Sequence, residues 1–213
     1  MELLKKEKQI KNKRYSLIIF LGIFLLLLGI SYNIYNHYQQ KKQDSVDNEK
    51  VEEFFEIKEE KDSDEEVSVE TPTVKEETDN YIGVLEIPKI NLKKGIVDKT
   101  SACNNVNKNI YTLKETTLPD EQINSHIILA GHSGNSYVSF FRKLKKLALK
   151  NKVYFYYKGV KYIYEVSNKY EIEKTGTTEL KQTNISDITL ITCISGTNKQ
   201  VVYVATLIDQ ENY

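Results

Sequence analysis

Ile188-Thr189-Leu190-Ile191-Thr192-Cys193 is an apolar, β-branched run that ends on a thiol. Upstream, His126-Ile127-Ile128-Leu129-Ala130-Gly131-His132 brings an imidazole to the polar stretch Ser133-Gly134-Asn135 in the same way. A third β-branched run, Val201-Val202-Tyr203-Val204-Ala205-Thr206-Leu207, follows the loop after Cys193. Runs of this length and composition read as buried strands. A thiol and an imidazole carried to strand ends are the ingredients of cysteine nucleophilic chemistry, with thiolate as nucleophile and imidazole as acid–base group. A lone cysteine is more often a small buried hydrophobe. Here the polar stretch Ile194-Ser195-Gly196-Thr197-Asn198 reads as a flexible loop that leaves the sulfur accessible.

The residues around these runs extend the β pattern. Tyr81–Ile87 reads as a strand stopped by Pro88. Ile90–Leu92 and Ile96–Val97 read as short β pieces with a bend at Gly95, and residues 98–125 as irregular connections. Val153–Tyr157 and Val160–Val166 flank Lys158-Gly159, a two-residue hairpin signal. Tyr170–Ile172 adds a further strand. Phe140, Phe141, Leu144, Leu147 and Ala148 have helical spacing, with Asn151 as a left-handed stop. Seven or eight short strands with one small helix point to a closed or nearly closed β-barrel. The tyrosines between 154 and 170 are expected to fill the barrel and its rim.

Outward from the barrel, the chain divides by charge. Its 30 Lys and Arg balance its 30 Asp and Glu, but the zero net charge describes no single region. Residues 1–15 form a basic tail. Leu17 to Ile30 is apolar except for Gly22 and Gly29, and with flanking Tyr15, Tyr32 and Tyr35 the segment 16–36 is long enough to span a bilayer. No small-x-small cleavage pattern follows it, so an uncleaved anchor is expected rather than a signal peptide. The positive flank places the N-terminus in the cytoplasm and the rest outside the cell membrane as a single-pass protein. Residues 37–79 are acidic and poor in apolar groups, which predicts a disordered linker. The folded domain is then 80–213.

Two alternatives to cysteine chemistry are weaker. A Cys103–Cys193 disulfide would silence the thiol, but a domain of this size can hold a core without one. A metal on His126, His132 and Cys193 lacks a fourth ligand and any C-x-x-C pair. His126 reads as a solvated or capping group, and His37 has no catalytic context. No metal or cofactor is expected; calcium on the acidic segment is the one ion the composition raises, and nothing else supports it. Nothing points to nucleic acid.

The Thr189–Cys193 and His126–Asn135 runs resemble those of the sortase family, the cysteine transpeptidases of Gram-positive cell surfaces, and the resemblance extends over residues 81–208. It implies an eight-stranded barrel, with Cys193 as nucleophile and His132 as acid–base partner. It implies exported proteins with C-terminal LPxTG-like sorting signals as substrates and a peptidoglycan precursor amine as acceptor. The family also carries an arginine on the strand after the cysteine loop. Gln200 stands at that place here, with Lys199 beside it. Strand alternation points Lys199 away if the strand has begun there, so Gln200 is the candidate for the arginine's role. Many sortases have Gly-Asp where this chain has Lys150-Asn151. The short single-anchor classes, A or D, are the better fit, since no apolar segment follows Ile208. Loss of the arginine leaves two other readings open, a catalytically weakened peptide-binding protein and a hydrolytic cysteine peptidase.

Overall fold

A computed structural model describes residues 2–59, 81–175 and 184–213. Two compact units emerge, Met1–Lys42 and Gln43–Tyr213. The first lies within helix α1, Glu2–Glu59, the one described helix that is long and apolar enough to cross a membrane. Its side chains from Leu17 to Leu28 are exposed. The expected disordered linker, 37–79, is helical in its first part, through Glu59. The reason lies in composition: residues 46–56 carry Val46, Val51, Phe54 and Phe55 among the acids, enough to cover one helix face. Residues 60–79 lie outside the described residues.

The second unit is a mainly β, nearly closed barrel. Its strands are β1 (Tyr81–Ile87), β2 (Leu92–Val97), β3 (Tyr111–Thr112), β4 (His126–Ala130), β5 (Lys152–Tyr157), β6 (Val160–Glu173), β7 (Asp187–Cys193) and β8 (Lys199–Asn212). They form one sheet in the order β2-β1-β5-β6-β8-β7-β4-β3. Its two edges meet where the Thr112 hydroxyl donates to the Val97 carbonyl at 3.1 Å. Asn104 reinforces this seam, its Nδ2 donating to the carbonyls of Lys99 and Thr112 and its Oδ1 accepting from the Thr112 N–H.

β5 alternates buried and half-buried residues along its whole length, with Val153, Phe155 and Tyr157 turned into the core. Phe155, Tyr164 and Tyr203 fill the interior with Leu85, Leu129, Leu190 and Phe141. β7 does not alternate: Asp187 through Thr192 are all buried. Its second face carries a smaller apolar cluster, Ile128, Ile191 and Val202, flanked by Tyr170, Ile172 and Val204. The strand is therefore covered on both sides, which explains its largely apolar sequence and the burial of Thr189 and Thr192.

The Lys158-Gly159 hairpin forms as expected, with both residues at positive φ (44° and 85°), the signature of a type I′ turn. Val160–Val166 and Tyr170–Ile172 prove to be one strand bent by register shifts, the second between Val166 and Asn168. Gly95 is not a bend but lies within β2; a Cβ there would sit 2.0 Å from the Tyr81 ring.

The expected helix at 140–148 is a single 3-10 turn, Leu144–Lys146. Phe141, Leu144 and Leu147 are buried, a spacing of three, while Ala148 is exposed. Three residues per turn satisfies that spacing better than 3.6 does. The left-handed position falls on Lys150 (φ 67°) rather than Asn151. Asn151 instead accepts the Ala148 N–H through its Oδ1.

Candidate active site

β4 and β7 are neighbours and parallel, with His126 opposite Asp187 and Ala130 opposite Ile191. The register offset is constant at 61 residues (187 − 126 and 191 − 130 alike). Extended by two residues, the same offset sets His132 level with Cys193. The ladder continues past the strand end, since the Gly131 N–H donates to the Ile191 carbonyl at 3.1 Å. The buried Thr192 hydroxyl then donates to the Gly131 carbonyl at 2.7 Å. Adjacent strands lie about 4.8 Å apart, so the two chemical groups leave the sheet side by side. Both residues are half-buried, and both cysteines of the chain are thiols.

Cys193 pairs on its other side with Gln200 of β8. The next pair out, Ile194 and Lys199, is hydrogen-bonded, the Ile194 N–H donating to the Lys199 carbonyl at 2.9 Å. Alternation makes Cys193–Gln200 a non-hydrogen-bonded pair, whose Cα atoms approach to about 4.5 Å with side chains on one face. Lys199 belongs to the opposite face, its Nζ 3.5 Å from the Glu171 carboxylate. The structure thus brings His132, Cys193 and Gln200 onto three adjacent strand ends and turns Lys199 away. By strand parity they share their face with the Ile128–Ile191–Val202 cluster.

Some local expectations need correction. The segment after Cys193 is a tight hairpin loop rather than a flexible one. The Thr197 N–H and hydroxyl both bond the Ile194 carbonyl, the Thr197 hydroxyl accepts the Lys199 N–H, and Gly196 takes φ 76°. The Ile194 N–H is committed to that hairpin. His126 is buried, not solvated, with Nδ1 2.9 Å from Asp187 Oδ1. It sits six residues before His132 on an extended strand, about 20 Å away, too far for one ion to join them. Gly131 serves packing more than backbone freedom, since a Cβ there would meet the Phe141 ring at 2.9 Å.

Sequence reasoning missed Asn107. It lies in the irregular segment before β3, and its Oδ1 is 3.2 Å from His132 Nε2. A carbonyl acceptor there favours a ring protonated at Nε2 and holds its orientation. Nothing in the Asn-rich stretch distinguishes Asn107 from Asn104, Asn105 or Asn109 before the fold is known.

A thiol, an imidazole and an amide thus sit on adjacent strand ends of a barrel, the kinds of group that cysteine acyl transfer uses. A family model, the sortase domain, matches residues 85–208, and the chain belongs to the sortase family, which are cysteine transpeptidases. Solved structures agree in fold. Sortase C1 of Streptococcus suis is 26% identical with a TM-score of 0.55, over 62% of this chain and 75% of that one. Sortase A of Listeria monocytogenes is 23% identical with a TM-score of 0.53, over 62% and 90%. The sortase D5 transpeptidase of Clostridium perfringens is 22% identical with a TM-score of 0.52, over 61% and 80%. A search of curated protein sequences returns no match.

Proposed function

We propose that this sortase is a membrane-anchored enzyme that cleaves an LPxTG-like sorting signal of exported proteins and transfers the acyl group to a cell-wall amine. The observation that carries the reading is the parallel β4–β7 register, which, extended two residues past Ala130 and Ile191, sets His132 beside Cys193, with Gln200 across from the sulfur. Cys193 thiolate attacks the Thr–Gly carbonyl, forming a C–S bond and a tetrahedral oxyanion. Collapse breaks the C–N bond while the His132 ring gives its proton to the departing glycine amine. The acceptor amine, from a peptidoglycan precursor, then attacks the thioester and loses its proton to His132. The C–S bond breaks and the thiolate returns. Two moderate barriers replace one high barrier.

Gln200 takes the arginine's place, its amide N–H directed at the developing oxyanion. A neutral donor contributes about 0.5–1.5 kcal/mol net against about 1.5–3 for a charged one, so turnover is expected to be slower but retained. The half-buried apolar residues around the Ile128–Ile191–Val202 cluster, Ala130, Ile172 and Val204, receive the sorting signal's apolar residues. The segment 16–36 anchors the chain, its basic flank in the cytoplasm, and the barrel acts on the outer surface.

Incubation of the protein with a fluorogenic LPxTG peptide, with and without an amine acceptor, tests this. Acceptor-accelerated cleavage, with a thioester trapped on Cys193 by mass spectrometry, supports the transpeptidase. Cleavage indifferent to acceptor identifies a hydrolase. Tight binding without turnover identifies the weakened, peptide-binding protein that the missing arginine leaves open.

A further inference from the structure

Lys94 stands opposite Leu85 in the β1–β2 register, on the face that also presents Ile87, Ile96 and Phe155 to the core. Its side chain is 3% exposed. A lysine in such a place is very costly unless its charge is met. Asp47, from the last turns of α1 and itself buried, meets it in a direct ion pair. Tyr81 donates its hydroxyl to the other Asp47 oxygen at 3.1 Å, and its ring occupies the space a Cβ on Gly95 would need. Val51 is buried at 3% exposure. Phe55 packs edge-on against Tyr156 and Tyr213. Val46–Phe55 therefore belongs to the barrel's own unit.

The docked turns share a cavity with the two segments that hold His132. A cavity of about 270 Å³ has Val46, Asp47 and Lys50 on one side, and Asn107, Tyr137 and Val138 among its other walls. Asn107 holds His132 Nε2. Lys94 Nζ sits 4.4 Å over the Phe140 ring, and the next residue, Phe141, donates its N–H to the His132 carbonyl at 3.0 Å. From these contacts we infer that Asp47 is a positioning residue. By clasping residues 46–55 to β2, it sets the 107–109 and 137–141 segments and, through them, the His132 ring. This rests on the reading of His132 and Cys193 as the reacting pair.

The full chain in detergent micelles tests it by amide hydrogen exchange of residues 46–55, by the alkylation rate of Cys193 located by mass spectrometry, and by kcat and KM for peptide cleavage. Asp47→Ala is expected to deprotect residues 46–55. It should lower both kcat and the alkylation rate by about tenfold, since small misplacements of a catalytic group are costly, with KM within about twofold. Exchange in β7, away from the Phe55 contacts at Tyr156 and Tyr213, should not change. The paired replacement Asp47→Leu with Lys94→Met keeps the clasp without charge and should restore all readouts.

Three results would overturn the inference: wild-type residues 46–55 exchanging as an unstructured peptide, Asp47→Ala freeing them with alkylation and kcat unchanged, or the apolar pair staying protected yet slow. If no form cleaves any peptide while alkylation follows the expected pattern, the inference stands and the transpeptidase reading fails.

Discussion

Replacing Thr192 by valine isolates the contact that locks the two strand ends together. The Thr192 hydroxyl donates to the Gly131 carbonyl at 2.7 Å, one residue before each of His132 and Cys193. Thr192 is 4% exposed, so water cannot replace the lost donor without entering the structure. Valine is nearly isosteric and at home in a strand, so neither a cavity nor a propensity change clouds the result. Removing one partner of a buried hydrogen bond costs about 1–3 kcal/mol. With an m-value of about 2 kcal/mol/M in urea, the unfolding midpoint should fall by about 0.5–1.5 M. Thr192→Ser keeps the donor and should lose less than half as much. Activity should fall further than stability explains, because the level set of sulfur and ring depends on this lock. The fall should appear in kcat rather than KM. Urea melts followed by circular dichroism, with peptide-cleavage kinetics on the same samples, decide it. A Thr192→Val midpoint within about 0.1 M of wild type, with unchanged kcat, would refute the argument that this hydroxyl holds the site together.

Other expectations follow from single contacts. Gln200→Ala should lower kcat for cleavage by about three- to tenfold, the worth of one neutral hydrogen bond, whereas Lys199→Ala on the opposite face should leave it near wild type; the reverse pattern would reassign the role to Lys199. Lys150→Gly should raise stability by about 0.5–1 kcal/mol in a thermal melt, since a residue at φ 67° is relieved of its Cβ penalty. The Lys158 ammonium and the Tyr157 hydroxyl hold the Asp120 carboxyl below its ordinary 3.8. A depressed folded-state value means stabilisation present above the unfolded value and lost as pH falls through the folded one. Asp120→Asn should therefore melt below wild type at neutral pH, with the difference closing as pH drops below about 4.

Much of this protein was legible along the chain because its signals are local. The alternation in Val153–Tyr157, the Lys158-Gly159 turn and the apolar runs ending at Ala130 and Cys193 each report on their own backbone. The apolar segment from Leu17 announces itself by length alone. Weak or competing local signals misled: Phe140–Ala148 satisfied a helical pattern that a 3-10 turn fits better, and the acids of residues 46–56 masked four apolar residues. What sequence order could not contain were the long-range facts: a parallel register that sets His132 level with Cys193, the choice of Asn107 from an Asn-rich stretch, and a lysine in the core met by Asp47. Periodicity says which way a side chain faces, but only the closing of the barrel decides what it faces, because those partners come from chain segments far apart.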